Sequence, residues 1–350
     1  MNRLAIATAA TSVPMGAQVY EREISARASA ALDETGHEWA VEQIVARSLR
    51  SDLDGTVRIP AGLLERGGRG VRAAVGRWVY PKGALVHRMG LTLPPAAREV
   101  ITLHDVVAWR FPDEGTPIAS AAEEMRRAAA VICVSEATAA DAVEMFGLEN
   151  VRVIYEGVDD RFRRALPLDA SARHALGLEG PYILHAGGAS ERKNLPALAD
   201  AWARIAGSHP GVTLALSGPP HPRRTELFGA LPRVSLLGRV DAALVPGLIA
   251  SAEAVVVPSL HEGFGLPVLE AMAAGTVVVA ADTSSLPEVA GGAALLVPPD
   301  GPGIAEGLTA VLGGQVDTHD LVERGRLRSA EFTWERCAAE HATVWNDAAA

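Results

Sequence analysis

Short apolar segments alternate with longer segments of helical periodicity along most of this chain of 350 residues. The apolar segments are nearly continuous and are bounded by glycine, proline or polar residues, as in strands that are buried on both faces of a parallel sheet. Nine strands are predicted in this way: Leu4–Thr8, Val100–Leu103, Val131–Val134, Val151–Ile154, Tyr182–His185, Thr213–Ser217, Val234–Leu237, Ala254–Pro258 and Thr276–Ala280. The alternation predicts βαβ units and therefore an α/β fold.

The length of the chain and the grouping of the predicted strands along it together predict two domains. A single hydrophobic core rarely grows beyond about 250–300 residues, and a charged segment with little strand pattern, residues 161–178, separates the two groups of strands. We expect an N-terminal domain over residues 1–160 and a C-terminal domain over 179–332, with that segment as the linker and a last helix over 333–350 that packs back on the first domain. Each domain would be a doubly wound, Rossmann-like parallel sheet, and the two would face each other across a cleft.

Composition and charge narrow the class of protein further. The net charge of −10 argues against general nucleic-acid binding, and no apolar run approaches the roughly 20 residues that a transmembrane helix needs. Cys133 and Cys337 lie far apart in apolar surroundings, so we expect buried free thiols in a reducing compartment. The short apolar run Leu4–Ala10 is interpreted as a first strand rather than a signal peptide. These features predict a cytoplasmic protein.

One segment is strongly basic within this acidic chain. Residues 58–98 contain eight basic residues against one acid, Glu65. Apolar residues recur among them at spacings that suggest an amphipathic helix, namely Leu64, Val71, Val75, Trp78 and Val79. Two interpretations remain open. The segment is either a solvated surface or a patch for an anionic partner, such as a phosphorylated acceptor or the anionic surface at the inner face of a membrane.

The most informative segment follows the predicted strand Ala254–Pro258. In it, Pro267 fits the first turn of a helix and Gly275 fits its end. The connection between strand and helix would then present backbone amides at a helix N-terminus, which is a suitable site for a diphosphate. The residues of this connection are Gly263, Phe264, Gly265 and Leu266.

Two glutamates flank this connection. Glu262 lies at the strand end, and Glu270 lies about one turn inside the predicted helix, where a carboxylate can accept hydrogen bonds from the diol of a ribose. The spacing of the two acids, with its continuation over residues 282–300, resembles the E-x7-E signature of the retaining glycosyltransferases of the GT-B fold. The similarity is strongest to family four, or glycosyltransferase group 1, with its mannosyltransferases. It implies that the donor is a nucleoside-diphosphate sugar.

A second glycine-containing loop follows the strand Tyr182–His185 and begins with Gly187 and Gly188. Farther along this loop, Lys193 is one of two lysines among 32 basic residues, which suggests a need for a compact ammonium group beside phosphates. With Arg192 it resembles the R-K-N element of the same family, in which the lysine contacts the donor diphosphate. Some relatives carry arginine at the position of Gly188, so Arg192 is the candidate to replace that charge.

The strand Val234–Leu237 precedes a third element of the expected donor site. The turn with Arg239 and Val240 resembles the turn of the family whose backbone binds the nucleobase. Because backbone atoms would make the contact, no side chain identifies the base, and the donor could be linked to GDP or to UDP.

Two elements of the first half match the family in position. Gly16, in the loop Pro14-Met15-Gly16-Ala17 after the first strand, corresponds to the N-terminal glycine loop that approaches the sugar and the acceptor. His104 and Asp105 follow the strand Val100–Leu103 and resemble the H-D element. The resemblance implies that His104 contacts the donor sugar near the reacting bond, and Asp105 is expected to orient its imidazole.

Together these residues predict retaining transfer of a hexose, with mannose as the best guess, to a glycan, lipid-linked or small-molecule acceptor. The catalytic set would be His104, Glu262, Lys193 and Arg192, which hold the sugar and neutralise the leaving diphosphate. No metal and no cofactor beyond the donor is expected, because no metal-ligand motif follows a strand. The alternatives are a UDP-sugar epimerase of GT-B type and an inactive sugar-nucleotide binding protein.

Overall fold

The computed structural model describes residues 1–12 and 16–350, which divide into two compact units. The first unit consists of Met1–Gly157 together with Thr333–Ala350, and the second of Val158–Phe332. Each unit is an α/β layer structure around one parallel sheet, as the alternating pattern predicts. The predicted α/β fold class is confirmed.

The first unit contains a seven-stranded sheet with the order β3-β2-β1-β4-β5-β6-β7. Its strands are β1 (Asn2–Ala9), β2 (Trp39–Ser48), β3 (Val57–Ile59), β4 (Leu85–Arg88), β5 (Glu99–Leu103), β6 (Ala130–Cys133) and β7 (Val151–Val153). Its helices begin with α1 (Gly16–Asp33), α2 (Ala61–Arg66), α3 (Arg69–Val79), α4 (Val107–Arg110), α5 (Ala121–Arg127) and α6 (Glu136–Phe146). Strands β5 and β6 are buried along their whole length, because helices cover both faces of the sheet.

The second unit contains a six-stranded sheet with the order β10-β9-β8-β11-β12-β13. Its strands are β8 (Tyr182–Ala186), β9 (Thr213–Ser217), β10 (Val234–Gly238), β11 (Ala254–Val257), β12 (Val278–Ala281) and β13 (Leu295–Val297). Its helices are α7 (Asp160–Arg163), α8 (Ala170–Ala175), α9 (Leu195–Ile205), α10 (Pro222–Phe228), α11 (Val245–Ala250), α12 (Leu266–Ala273), α13 (Leu286–Ala290), α14 (Gly301–Leu312) and α15 (Thr318–Ala330). Helices α9 and α14 pack together over a core that includes the fully buried Trp202.

The last helix, α16 (Trp334–Ala349), returns to the first unit and packs along α1. Its inner face carries Trp345 and His341, which are both fully buried. The indole of Trp345 donates to His87 on β4, and His341 lies 2.6 Å from the hydroxyl of Tyr20 on α1. Buried aromatic and histidine contacts therefore fix the helix to residues that lie far away in sequence.

All nine predicted strands are present, with ends within two residues of the prediction. Four strands were not predicted: β2, β3, β4 and β13. Strand β4 ends in His87 and Arg88, which look unlike a buried strand but are fully buried because other elements provide their partners. Strands β3 and β13 have three residues each and lie at sheet edges, so their apolar signal is short.

Residues 161–178, predicted as a linker, pack within the second unit instead. Arg163 donates to the carbonyls of Ser329 and Phe332, and the backbone amide of Leu168 donates to the hydroxyl of Ser251. The segment contains most of α7 and all of α8. The linker prediction was wrong because charged residues of this segment bind backbone carbonyls of the same unit and are not only solvated.

Candidate active site

The loop after β11 has the geometry that its glycines and proline predict. Helix α12 begins at Leu266 with Pro267 in its first turn, and Gly265 precedes it with a φ of 112°. A side chain at Gly265 would be strained by that backbone conformation, and its Cβ would lie 3.0 Å from a methyl group of Leu286. The first amides of α12 therefore lie at the carboxyl edge of the sheet, next to the end of β11.

Glu262 is the centre of a buried ionic cluster in the second unit. One carboxylate oxygen lies 2.7 Å from the ammonium of Lys193 and accepts from the hydroxyl of Ser259 at 2.6 Å. The other oxygen accepts from Arg192 at 2.7 Å. Burial alone would raise the pKa of Glu262, but the charges of Lys193 and Arg192 outweigh burial and lower it to about 2. The carboxylate is therefore ionised and holds both cations in place.

The loop that carries the cations is fastened to the loop after β11. Arg192 and Lys193 belong to a single 3-10 turn after β8, and the carbonyl of Arg192 accepts from the amide of Leu260 at 2.7 Å. Asn194, with a left-handed φ of 54°, donates from its side chain to the carbonyls of Pro258 and Pro299. Asn194, the last residue of the R-K-N element, thus connects its loop to the segments that follow β11 and β13.

Hydroxyl groups from a third strand end support the same loop. The hydroxyl of Ser285 donates to the carbonyls of Glu262 and Phe264, and the amide of Glu262 donates to the hydroxyl of Ser284. These serines follow β12, in the segment that extends the family resemblance. Their contacts fix the backbone on which Gly263 and Phe264 lie.

The remaining donor-site candidates of the second unit lie at the same sheet edge. Gly187 and Gly188 directly follow β8, and Arg239 and Val240 directly follow β10. The side chain of Arg239 is exposed and Val240 is half-buried. Glu270 is half-buried on α12, one turn from its start, as predicted.

Sequence reasoning missed Arg224, on α10 of the second unit. Its guanidinium donates from Nη2 to the carbonyls of Gly187, Gly188 and Ser217, so it fixes the glycine loop after β8. No local signal distinguishes it from its neighbour Arg223, because its three acceptors are backbone atoms.

In the first unit, His104 follows β5 with its side chain 19% exposed. Its Nδ1 lies 3.6 Å from a carboxylate oxygen of Glu156, and its ring packs edge-on against Tyr20 at 4.9 Å between ring centroids. Burial lowers the pKa of His104, but the carboxylates of Glu156, Asp105 and Glu21 outweigh burial and raise it. The Nε2 atom is buried and has no hydrogen-bond partner among residues 1–12 and 16–350.

The acid that accompanies His104 differs from the expected one. Asp105 accepts a hydrogen bond from the amide of Val107 at 3.1 Å and so supports the start of α4. Glu156, three residues after Val153 at the end of β7, is the carboxylate beside the imidazole. The signal that could have found it is its position after a strand of the same sheet.

A cavity of about 680 Å³ opens beside His104 in the first unit. Apolar side chains of Leu91, Trp109 and Ile118 line it, together with Arg66 at the end of α2. The lining also includes the acids Glu65, Asp105 and Glu114, so it combines apolar side chains with charges of both signs.

Gly16 begins helix α1 and is exposed. Two other residues of the predicted glycine loop, Pro14 and Met15, lie outside the described residues. In the part of the chain that the structure describes, no group of three or more His, Cys, Asp or Glu side chains is arranged to bind a metal ion.

The basic segment 58–98 is less exposed than predicted. Arg72 and Arg88 are fully buried, and both form ion pairs with Glu124, at 2.7 and 2.8 Å. The prediction that all eight basic residues form a surface was therefore wrong for these two, because an acid of α5, outside the segment, neutralises them.

The apolar residues of this segment also differ in exposure in a way that the amphipathic pattern does not predict. Leu64 and Val79 are buried, whereas Leu63, Val71 and Trp78 are exposed, with Trp78 at 72%. Within the described ranges, no helix combines the length and apolar character that crossing a membrane requires.

Two family models match the chain. Residues 180–313 match Glycosyl transferases group 1, and residues 80–162 match Glycosyltransferase Family 4. The matched ranges include the Glu262 cluster in the second unit and His104 with Glu156 in the first.

Curated relatives include several mannosyltransferases. The chain is 28% identical to the O-antigen chain mannosyltransferase B of Escherichia coli, over 69% of this chain and 68% of that one. It is 33% identical to the phosphatidyl-myo-inositol mannosyltransferase of Mycobacterium tuberculosis, over 62% and 59%. It is 44% identical to the MMP alpha-(1->4)-mannosyltransferase of Mycolicibacterium hassiacum, over 29% and 26%. The matches thus span between about a quarter and about two thirds of the length of these relatives.

Solved structures share the architecture along nearly the whole chain. Sucrose-phosphate synthase from Thermosynechococcus elongatus has a TM-score of 0.74 at 23% identity, over 99% of this chain and 98% of that one. WaaG, a glycosyltransferase involved in lipopolysaccharide biosynthesis, has a TM-score of 0.70 at 18% identity, over 97% and 99%. At these identities the likeness establishes the fold, which is GT-B.

Proposed function

Because the chain belongs to the glycosyltransferases of group 1 and family 4, with the GT-B fold, we propose that it transfers a hexose from a nucleoside-diphosphate sugar. The observation that carries this proposal is the buried cluster of Glu262 with Lys193 and Arg192, beside the amides at the start of α12. A cationic group next to a helix N-terminus is the arrangement that a diphosphate requires.

The second unit would bind the donor through three contacts. Lys193, Arg192 and the amides after Gly263 neutralise the charge that develops on the diphosphate when the sugar leaves. Glu270 accepts hydrogen bonds from the ribose diol, and the backbone at Arg239 and Val240 contacts the base. Glu262 keeps the cations in position before the donor arrives, so little reorganisation is needed during the reaction.

The proposed sugar is mannose and the proposed nucleotide is GDP, with UDP as the other possibility. The names of the relatives support mannose, since three of them are mannosyltransferases. The proposed stereochemical course is retention, which rests on the resemblance of the Glu262 to Glu270 segment to retaining enzymes. We also propose that no metal or further cofactor takes part, because Lys193 and Arg192 provide the positive charge.

The proposed acceptor is a lipid-linked molecule or a glycan, with a small molecule as a further possibility. The names of two relatives include a phosphatidyl-myo-inositol and an O-antigen chain. We propose that part of this acceptor lies in the first-unit cavity beside His104, where Trp109 lies among polar residues and charges of both signs. The direct role of His104 in contacting the sugar stays a prediction.

We propose that the protein is cytoplasmic and makes peripheral contact with the inner face of a membrane through α2 and α3. The exposed apolar residues of these helices are Leu63, Val71 and Trp78. Arg66, Arg77 and Lys82 are also exposed and lie within a few residues of them in sequence. Exposed apolar side chains with neighbouring cations are what binding to an anionic lipid surface requires.

Transfer assays test the proposed reaction. Radiolabelled GDP-mannose, UDP-glucose and other nucleotide sugars are offered with phosphatidyl-myo-inositol, mannose-terminated oligosaccharides and inositol phosphates, with and without EDTA. We expect one donor to yield a labelled acceptor product, in EDTA as well, with the anomeric configuration of the donor. Isomerised donor without transfer would indicate an epimerase instead. Donor binding without any chemistry would indicate an inactive binding protein.

A further inference from the structure

Arg224 is an unusual buried cation beneath the glycine loop after β8. Its side chain is 3% exposed, and no carboxylate among residues 1–12 and 16–350 lies within ion-pair distance of it. Its side-chain hydrogen bonds all come from Nη2, and its Nε is buried without a partner among the described residues. A buried guanidinium is normally paired with an acid, because an unpaired buried charge is costly. In the described part of the chain, the guanidinium of Arg224 therefore binds backbone carbonyls and no carboxylate.

The groups around Arg224 leave this charge uncompensated. His185, at the end of β8, is buried and has Nδ1 3.1 Å from the carbonyl of Val256. Burial, with the charges of Arg224 and Lys193, lowers the pKa of His185 to about 4, so its ring is neutral near pH 7. The buried carboxylate of Glu262 is already shared between Lys193 and Arg192. The buried carboxylate of Glu262 thus lies in a region with three cations, which are Lys193, Arg192 and Arg224.

Gly187 is the point at which these groups meet. Its carbonyl accepts a hydrogen bond from Arg224. A Cβ added to it would lie 3.4 Å from Nε2 of His185 and 3.9 Å from the side chain of Lys193. The loop itself carries no cation between Gly187 and Arg192. The positive charge near Gly187 therefore comes from the side chains of Arg224 and Lys193, and of these two Arg224 is the one that binds the Gly187 carbonyl.

We propose that Arg224 is a positioning residue for the donor diphosphate, whose negative charge completes the ion pairing that Arg224 lacks. The inference rests on the proposed function, because it assigns Arg224 to the anion site of the same donor. Arg224 acts in two ways. It fixes the carbonyls of Gly187 and Gly188, and its charge adds to that of Lys193 and Arg192 in attracting an anion.

Calorimetry with four probes tests this role in the full chain. GDP and UDP carry the diphosphate, whereas guanosine and uridine lack it. Arg224→Gln keeps a hydrogen-bond donor for the loop but removes the charge, and Arg224→Lys keeps the charge but lacks the planar fork. Arg224→Met removes both. Arg204→Met, at an exposed ion pair on α9, is the control for loss of one positive charge elsewhere in the unit.

We expect Arg224→Met and Arg224→Gln to weaken binding of the nucleoside diphosphate by at least about tenfold, the scale of one charge-assisted hydrogen bond. Binding of the nucleoside should be unchanged in both variants. Arg224→Lys should stay within about threefold of the wild type, since its charge is retained, and Arg204→Met should bind as the wild type does.

Three results would overturn the proposal. Arg224→Gln with wild-type affinity would mean that fixing the loop is sufficient and the charge is unimportant. Equal losses for nucleoside and nucleoside diphosphate would mean that Arg224 only maintains the fold. If Arg224→Met does not fold, the affinities of the Gln and Lys variants for nucleoside and nucleoside diphosphate provide the same test. A wild type that binds neither GDP nor UDP would contradict the proposed function itself, and the inference with it.

Discussion

At the scale of single residues, Glu262 determines the electrostatics of the second-unit site. Its pKa is about 2 in the folded chain, against 4.5 for an ordinary glutamate, because Lys193 and Arg192 outweigh the effect of burial. The folded state therefore binds fewer protons than the unfolded state between these two values. The resulting stabilisation is fully present above about pH 4.5 and is lost as the pH falls towards 2.

We predict that Glu262→Gln destabilises the second unit by about 3 kcal/mol at pH 7, the free energy that corresponds to this shift in pKa. Urea unfolding of both proteins at pH 7, 5 and 3.5 measures the difference. The difference should be constant from pH 7 to 5 and should shrink at pH 3.5. Glu306→Gln, at an exposed position on α14, is the control. A difference that does not depend on pH would contradict the ionic role of Glu262.

Lys193 allows a separate prediction about ligand binding. Its ammonium lies beside Glu262 at the edge of the sheet where a diphosphate is proposed to bind. Lys193→Ala should lower affinity for GDP or UDP by roughly 10–100-fold, the range for a charge-assisted hydrogen bond, and leave nucleoside affinity nearly unchanged. Calorimetry measures both, with Arg204→Ala as the control. Equal losses for the two ligands would mean that Lys193 has a structural role only.

The residues that sequence could and could not identify differ in where their partners lie. Arg192, Lys193 and Glu262 each occupy a motif that follows a strand, and the structure places the charged atoms of Arg192 and Lys193 each 2.7 Å from the carboxylate of Glu262. Arg224 and Glu156 belong to no such motif. Arg224 binds backbone carbonyls, which leave no local pattern. Glu156 faces a histidine 52 positions earlier, and its position after a strand is the one signal of its role.

At the scale of elements, α3 shows how a helical pattern can be identified correctly while its faces are assigned wrongly. The apolar spacing predicts a helix, and α3 spans Arg69–Val79. The buried face contains Arg72 and Gly76, however, whereas Val71 and Trp78 are exposed. Arg72 is buried because Glu124 on α5 lies opposite it, and the sequence of α3 contains no information about that partner.

Arg72→Met should destabilise the first unit by about 3–5 kcal/mol, since it leaves Glu124 buried without one of its two cations. Arg77→Met, on the exposed face of the same helix, should change stability by less than about 0.5 kcal/mol. Chemical denaturation of the two variants gives the comparison. A stable Arg72→Met protein would mean that Arg88 alone neutralises Glu124.

Flotation with lipid vesicles tests the exposed face of α2 and α3. We predict binding to anionic vesicles but not to neutral ones, and weakening by salt. Trp78→Ser with Arg77→Glu should lower binding by at least about fivefold, the effect of about 1 kcal/mol per charge near an anionic surface. Leu327→Ser, which removes an exposed apolar residue of the second unit, is the control. A wild type that ignores anionic vesicles would mean that the face is simply solvated.

At the scale of the whole molecule, the near-continuous apolar strands were sufficient to predict two parallel sheets, and the resemblance of the Glu262 to Glu270 segment implied the GT-B fold. Buried parallel strands leave a strong signal because both of their faces are covered. The signal fails where burial depends on distant partners, as at His87 and Arg88 of β4. It also fails for residues 161–178, whose charged side chains bind carbonyls of the second unit.

A crystal structure of the full chain grown with GDP or UDP tests most directly whether the second unit holds the nucleoside diphosphate of the donor. We predict that the diphosphate lies within hydrogen-bond distance of Lys193 and of the amides from Phe264 to Leu266. The ribose should contact Glu270, and Arg224 should lie beneath the loop that carries Gly187. A diphosphate bound elsewhere, or an empty site at saturating nucleotide, would contradict the proposed donor site.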